Sequence, residues 1–252
     1  MFTSASSLFT LAFGIALLSG FLIRSWLSFR QAKHVAAHRG VVPKAFADKV
    51  SQANHEKAAD YTLAKSRLGF WEDVLGCVVL LGWTLLGGLA LLNASVLEWL
   101  GSGFWQQIVL LLAFTFIGSL IDLPLSIYAT FGLEAKFGFN KTTWTTWLVD
   151  LVKGLILGAA IGLPLLALVL YLMNAAGQNW WLWAWVALTL FSLLMMWIAP
   201  TVIMPLFNKF TPLEDEALKA RVSALMQRCG FNASGFFVMD GSKRSAHSNA
   251  FF

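Results

Sequence analysis

Every lysine and arginine of this 252-residue chain falls in alternate members of the segments that its five apolar stretches mark out. All 18 basic residues lie within 24–67, 136–153 and 209–244; none lies before Arg24, in about 93–103 or in about 174–179. A soluble core has no physical reason to sort charge in this way, whereas membrane insertion retains basic loops on the cytoplasmic side. The pattern predicts an integral, multi-pass membrane protein with its N-terminus outside and its C-terminal segment in the cytoplasm. A bacterial inner membrane or an ER-type membrane would suit that orientation.

Composition points the same way. Hydrophobic residues make up 58% and charged residues only 12%, against roughly 25% charged in an average soluble domain. The net charge of +5 sits beside the apolar stretches and is interleaved with acids, which fits the lipid bilayer as partner and excludes nucleic acid. Cys77 lies mid-stretch and Cys229 in a polar segment, so they form neither a disulfide framework nor a metal-type cluster. The first apolar stretch has no basic residue before it and no small-residue cleavage site after it, and reads as a retained span.

A spanning helix needs about 20 apolar residues, and the candidates are roughly 6–27, 70–92, 105–131, 151–173 and 180–203. Trp99, Trp105, Trp180, Trp181, Trp183 and Trp185 mark the outer boundary; Trp26, Trp71, Trp144 and Trp147 mark the inner one, as interfacial aromatic belts do. Trp83 and Trp197 fall inside spans and are expected to pack between helices. Pro43 suits the first turn of a long helix over 44–68 that lies on or rises from the membrane surface and runs towards the second span. Thr211-Pro212-Leu213-Glu214 reads as a capping box opening an amphipathic helix that Gly230 ends. Beyond it, Gly235–Met239 reads as a strand, Asp240–Lys243 as a turn and Ala246–Phe252 as a second strand, with Asp240–Arg244 forming a hairpin turn with a solvated basic tip. The predicted fold class is an all-α multi-pass bundle of about five transmembrane helices, followed by the start of a cytoplasm-facing α+β domain. The expected division is a transmembrane part over 1–204, with cytoplasmic loops at about 28–69 and 132–150, and the beginning of a soluble domain over 205–252 that continues past Phe252.

Candidate chemistry is sparse. Asp122, in Ile121-Asp122-Leu123-Pro124, is the ionisable residue well inside a span. A carboxylate there costs about 2.5–3.5 kcal/mol on insertion scales, so it is a candidate cavity or chamber acid; a span displaced outward would instead leave it at the interface. His34 and His38 share a helix face, but no glutamate follows His34, and two histidines fall short of the three protein ligands that zinc needs. No Gly-x-Ser-x-Gly, P-loop or Ser-Lys pair is present, and no complete active site can be assembled from these residues alone.

Four blocks rise above this background. Val238-Met239-Asp240-Gly241-Ser242-Lys243-Arg244-Ser245-Ala246-His247-Ser248-Asn249-Ala250-Phe251-Phe252 resembles the signature of the CAAX prenyl protease 1 family, integral-membrane zinc metalloendopeptidases. Pro205–Leu213 resembles the block that precedes it, and Phe137–Thr143 and His55–Tyr61 are similar to the family's cytoplasmic-loop motifs. The resemblance implies an enzyme that cleaves near the C-termini of membrane-associated or lipidated proteins and peptides, with helices enclosing an intramembrane chamber. It also implies a zinc cofactor held by a His-Glu-x-x-His helix and a later third ligand, which would follow Phe252. No catalytic and no metal residue is therefore assigned in this chain, which is expected to be inactive alone. What the resemblance does assign is a substrate-binding strand edge at Asn249, Ala250 and Phe251, to which an extended peptide could add by backbone pairing. Two other classes compete: a non-catalytic membrane module (a scaffold, or half of a split protease with a separate catalytic chain) and, more distantly, a transporter with Asp122 and Pro124 at a broken helix.

Overall fold

The structure, a computed structural model, describes residues 5–231 and 235–247. Apolar helices dominate it. Helix α1 runs Ala5–His38, α2 Gln52–Thr84, α3 Gly88–Leu100 and α4 Phe104–Ile127. A π-helical segment, Tyr128–Glu134, and the short α5, Ala135–Phe137, prolong α4. Then come α6 (Trp144–Ala175), α7 (Trp180–Ile198), a second π segment (Ala199–Ile203) and α8 (Met204–Phe207). Strand β1 (Phe210–Pro212), helix α9 (Glu216–Arg228) and strand β2 (Phe237–Met239) complete the described elements.

Among the described residues, four helical stretches are long and apolar enough to cross a membrane: Ser7–His38, Phe104–Phe137, Trp144–Ala175 and Gly177–Phe207. The pair α2 and α3, bent by 52°, makes a fifth if the two are counted as one span. The exterior agrees, since Phe9 is 74%, Leu86 81% and Met196 75% exposed. Water would penalise such a surface at roughly 25 cal/mol per Å² of apolar area, whereas lipid does not. Hydroxyls inside these helices satisfy themselves locally: Thr84 donates to the Leu80 carbonyl, Thr115 to Leu111, Ser119 to Thr115 and Ser192 to Leu188. A hydrocarbon surround demands such internal bonding.

The expected continuous span over about 70–92 is corrected. α2 ends at Thr84, and Gly87, at φ 80°, turns the chain before α3. A Cβ on Gly88 would stand 2.7 Å from the Gly82 carbonyl oxygen, so the bend needs glycine there as well. α3 then packs on α4, where the buried Gln106 side chain donates to Asn93 Oδ1 at 2.7 Å. The helix expected over 44–68 does run on into the second apolar stretch, but it starts later than Pro43 suggested. Pro43 precedes only a 3-10 turn, Lys44–Phe46, while Ser51 caps α2 by accepting from the Asn54 N–H. One helix therefore carries both the polar segment after Ser51 and the apolar residues from about 70 onward. Trp83 packs against Phe114 at 5.0 Å as expected, but Trp197 is 68% exposed rather than packed between helices.

Contact clustering divides the chain into two compact units, Met1–Gly138 and Phe139–Phe252. In the first, α1 packs along α2 and α3 along α4. Two clasps hold its polar end: Arg39 forks onto Asp60 at 2.6 and 2.9 Å, and the Tyr61 hydroxyl donates to Glu134 at 2.6 Å. In the second, α6 packs on α7, and β1 pairs antiparallel with β2, placing Phe210 opposite Met239 and Pro212 opposite Phe237. This pairing gives β2 the partner β1, whereas residues 248–252 of the expected second strand, Ala246–Phe252, lie outside the described residues. It also moves the predicted cap. Thr211 and Pro212 belong to β1, and Asp215 caps α9 by accepting from the Leu218 N–H.

Candidate functional site

Gly138, at φ 82°, ends the short helix α5, and Thr143 starts α6 by accepting from the Thr146 N–H. Between these two signals the chain stays out of the helix, with its backbone groups free to pair. Asn140 folds its own side chain back to accept from the Thr142 N–H at 2.7 Å, the local bond that asparagine favours in turns. The segment from Phe139 to Thr142 thus becomes a short extended edge.

A second segment lies against it. Asp240 and Lys209 continue the β1–β2 ladder by one pair: the Asp240 N–H donates to the Lys209 carbonyl at 3.1 Å, and the Lys209 N–H to Asp240 Oδ1 at 2.7 Å. The 3-10 turn Gly241–Lys243 then delivers Arg244 and Ser245 to the edge. Ser245 bridges Asn140 in antiparallel fashion. The Ala246 N–H donates to the Phe139 carbonyl at 2.8 Å, and the Arg244 carbonyl accepts from the Lys141 N–H at 3.1 Å and the Thr142 hydroxyl at 3.0 Å. Outside this pairing, the His247 ring stacks on Phe139 with centroids 4.1 Å apart.

The Arg244 side chain ties the arrangement to the helices. Its Nε and one terminal nitrogen fork onto the Asp150 carboxylate at 2.6 and 2.9 Å, and the other terminal nitrogen reaches Asn208 Oδ1 at 3.0 Å. Both members of the ion pair are largely shielded, at 27% and 22% side-chain exposure. The bond to Asp150 raises the guanidinium pKa above its ordinary value against the opposing effect of burial, so the charge is fixed. Asp240 titrates the other way. The Lys243 ammonium at 2.7 Å and then the Lys209 N–H hold its carboxyl below the usual carboxylate range. The expectation of a solvated basic tip therefore holds for Lys243, 68% exposed, and fails for Arg244.

The sequence-predicted residues fall as follows. Asn249, Ala250 and Phe251 lie outside the described residues. Asp122 is exposed on α4, which stays helical past Pro124 until the π segment begins at Tyr128. His34 and His38 share one face of α1, with ring centroids 4.2 Å apart, and both line a pocket with His55, Ala59 and Thr62. His38 Nδ1 bonds the His34 carbonyl, and His55 Nε2 bonds the His38 carbonyl. Among the described residues, no three His, Cys, Asp or Glu side chains converge as metal ligands would, so these residues do not fit a zinc ion. The sequence reading missed the trio of Arg244, Asp150 and Asn208. Its one available signal was Asp150, a lone carboxylate opening an apolar helix. What the arrangement does chemically is to fix backbone.

Three of the four sequence blocks singled out above meet here, and comparison with known proteins gives the convergence a context. A family described as the CAAX prenyl protease N-terminal domain, with five membrane helices, matches residues 31–209. CAAX prenyl protease 1 of Saccharomyces cerevisiae is 37% identical over 251 residues, covering 94% of this chain and 55% of that protein. A CAAX prenyl protease 1 homolog of Mus musculus is 33% identical, covering 95% of this chain and 52% of its own. The crystal structure of S. mikatae Ste24p superimposes with a TM-score of 0.83 at 34% identity, over 92% of this chain and 55% of that one. The chain spans about half the length of the relatives it matches.

Proposed function

The chain belongs to the CAAX prenyl protease N-terminal family, and from that premise we propose that it forms the membrane-embedded amino-terminal part of a zinc metalloendopeptidase. Its substrates are membrane-associated or lipidated polypeptides cleaved near their C-termini. The Arg244 clasp is the observation that carries this reading. The Arg244 side chain binds Asp150 of α6 and Asn208 of the 205–213 block, and its carbonyl accepts from Lys141 and Thr142 of the 137–143 block, so that residues 139–142 and 244–246 form a backbone edge of the kind that can present an extended peptide. Asn249, Ala250 and Phe251, which follow in sequence, we assign to substrate binding, with Asp122 as a chamber acid. The zinc ligands and the catalytic glutamate come from outside these residues, so the chain alone is inactive. The relatives named above are longer single chains, which gives no support to a separate catalytic half.

The basic-residue asymmetry orients this part with its N-terminus outside and residues 205–252 cytoplasmic. Cysteine labelling should place Ala53 and Gln227 together, opposite Gly101 and Gly177; Gly101 and Gln227 on one side would refute the orientation. For the activity, the 252-residue chain and a protein of the relatives' length are purified, analysed for zinc and incubated with a farnesylated, fluorogenic peptide. The longer protein should hold one zinc and cleave the peptide, and the shorter should do neither. One tightly held zinc per 252-residue chain, lost on changing a single histidine, would overturn the assignment.

A further inference from the structure

An isolated antiparallel bridge, a few backbone bonds, the Thr142 hydroxyl and the stacked rings of Phe139 and His247 hold residues 244–247 against 139–142. So short a pairing specifies its register weakly, and in a strand each one-residue slip exchanges the two faces. The Arg244 side chain supplies what the backbone lacks. All three guanidinium nitrogens are directed, two to Asp150 and one to Asn208. Asp150 sits in the second turn of α6 and Asn208 immediately follows α8, so the anchor points belong to different helices. A register slip of two residues along an extended chain moves a side chain by about 6–7 Å, and the fork could not follow it. Lysine would keep the charge but not the three directed bonds.

We propose that Arg244, with Asp150 and Asn208, is a positioning residue that sets the register of the substrate-binding edge from helices far away in sequence. The proposal rests on the reading of this backbone edge as the one that presents an extended peptide. Arg244 touches no reacting atom. It determines which residue of the segment stands opposite Asn140.

The register can be read directly by disulfide trapping, after replacement of Cys77 and Cys229. Cysteines at Asn140 and Ser245 report the native register, because residues opposed across an antiparallel pair lie within disulfide reach. Cysteines at Asn140 and His247 report a two-residue slip. Arg244→Lys and Asp150→Asn, both conservative, are introduced separately, and KM, kcat and zinc content for the farnesylated peptide are measured in the full-length protein. In both variants the native cross-link should fall and the slipped one rise. KM should increase about tenfold, the scale of one lost hydrogen bond to a charged group, with kcat and zinc content nearly unchanged. An undiminished native cross-link in both variants would overturn the register role. A slipped register with unchanged KM would instead sink the edge reading, and with it the positioning role, while leaving the clasp itself intact.

Discussion

Two arginine forks in this molecule have the same internal geometry and different consequences. Arg39 meets Asp60 at 2.6 and 2.9 Å, and Arg244 meets Asp150 at 2.6 and 2.9 Å. The first pair is 41% and 44% exposed and joins residues 21 apart, across the turn that links α1 to α2. The second is 27% and 22% exposed and joins residues 94 apart. Water competes for the first pair and mobile ions screen it, which is why exposed ion pairs contribute little. The second closes a long chain segment, and no other side-chain bond recorded for Arg244 besides the one to Asn208 could replace it. Bond lengths do not distinguish the two forks; solvent and chain separation do.

That contrast can be broken in stages. The largest effect is expected from Arg244→Ala or Asp150→Ala. Either leaves a shielded charge without its partner and should cost about 1.5–3 kcal/mol. Thermal unfolding in detergent measures the loss, and hydrogen exchange should find the Ala246 and Lys141 amides deprotected first. Asp240 comes next, through pH. Its folded pKa lies below the usual carboxylate range, so its contribution is present above the unfolded value of about 3.9 and is lost as pH falls through the folded value. The Lys209 amide, which donates to Asp240 Oδ1, should therefore stay protected at neutral pH and exchange freely in strong acid. In Asp240→Asn the acid step should vanish. The smallest effect is expected from Arg39→Ala, which should leave the melting temperature nearly unchanged; a drop as large as that of Arg244→Ala would end the comparison.

How much of this the sequence carried follows from the range of each interaction. Hydropathy and the sorting of basic residues located the spans because lipid acts on every residue independently. The break at Leu85–Gly87 was marked by Gly87-Gly88, but its signal was drowned by apolar residues on both sides. Thr211-Pro212-Leu213-Glu214 mimicked a helix cap, and Asp215 took that role because β2 claimed Thr211 and Pro212 for a ladder. Proline at a strand end is tolerated where no ladder bond needs its missing N–H. Arg244 read as a solvated turn residue because its partner lies 94 residues away, beyond the reach of any local pattern. The four family-like blocks were legible one by one, but the meeting of three of them at the side chain and carbonyl of Arg244 was not.

The central claim is that Arg244 and Asp150 act as one coupled, shielded unit that joins the edge to α6. A double-mutant cycle tests it most directly, using Arg244→Ala, Asp150→Ala and the double variant, with unfolding free energies measured in detergent. The account predicts strong non-additivity, a coupling of about 1.5–3 kcal/mol, with the double variant hardly less stable than either single one. The same cycle on Arg39 and Asp60 should give additive effects. Additive losses at Arg244 and Asp150 would contradict the claim and reduce the clasp to one more surface ion pair.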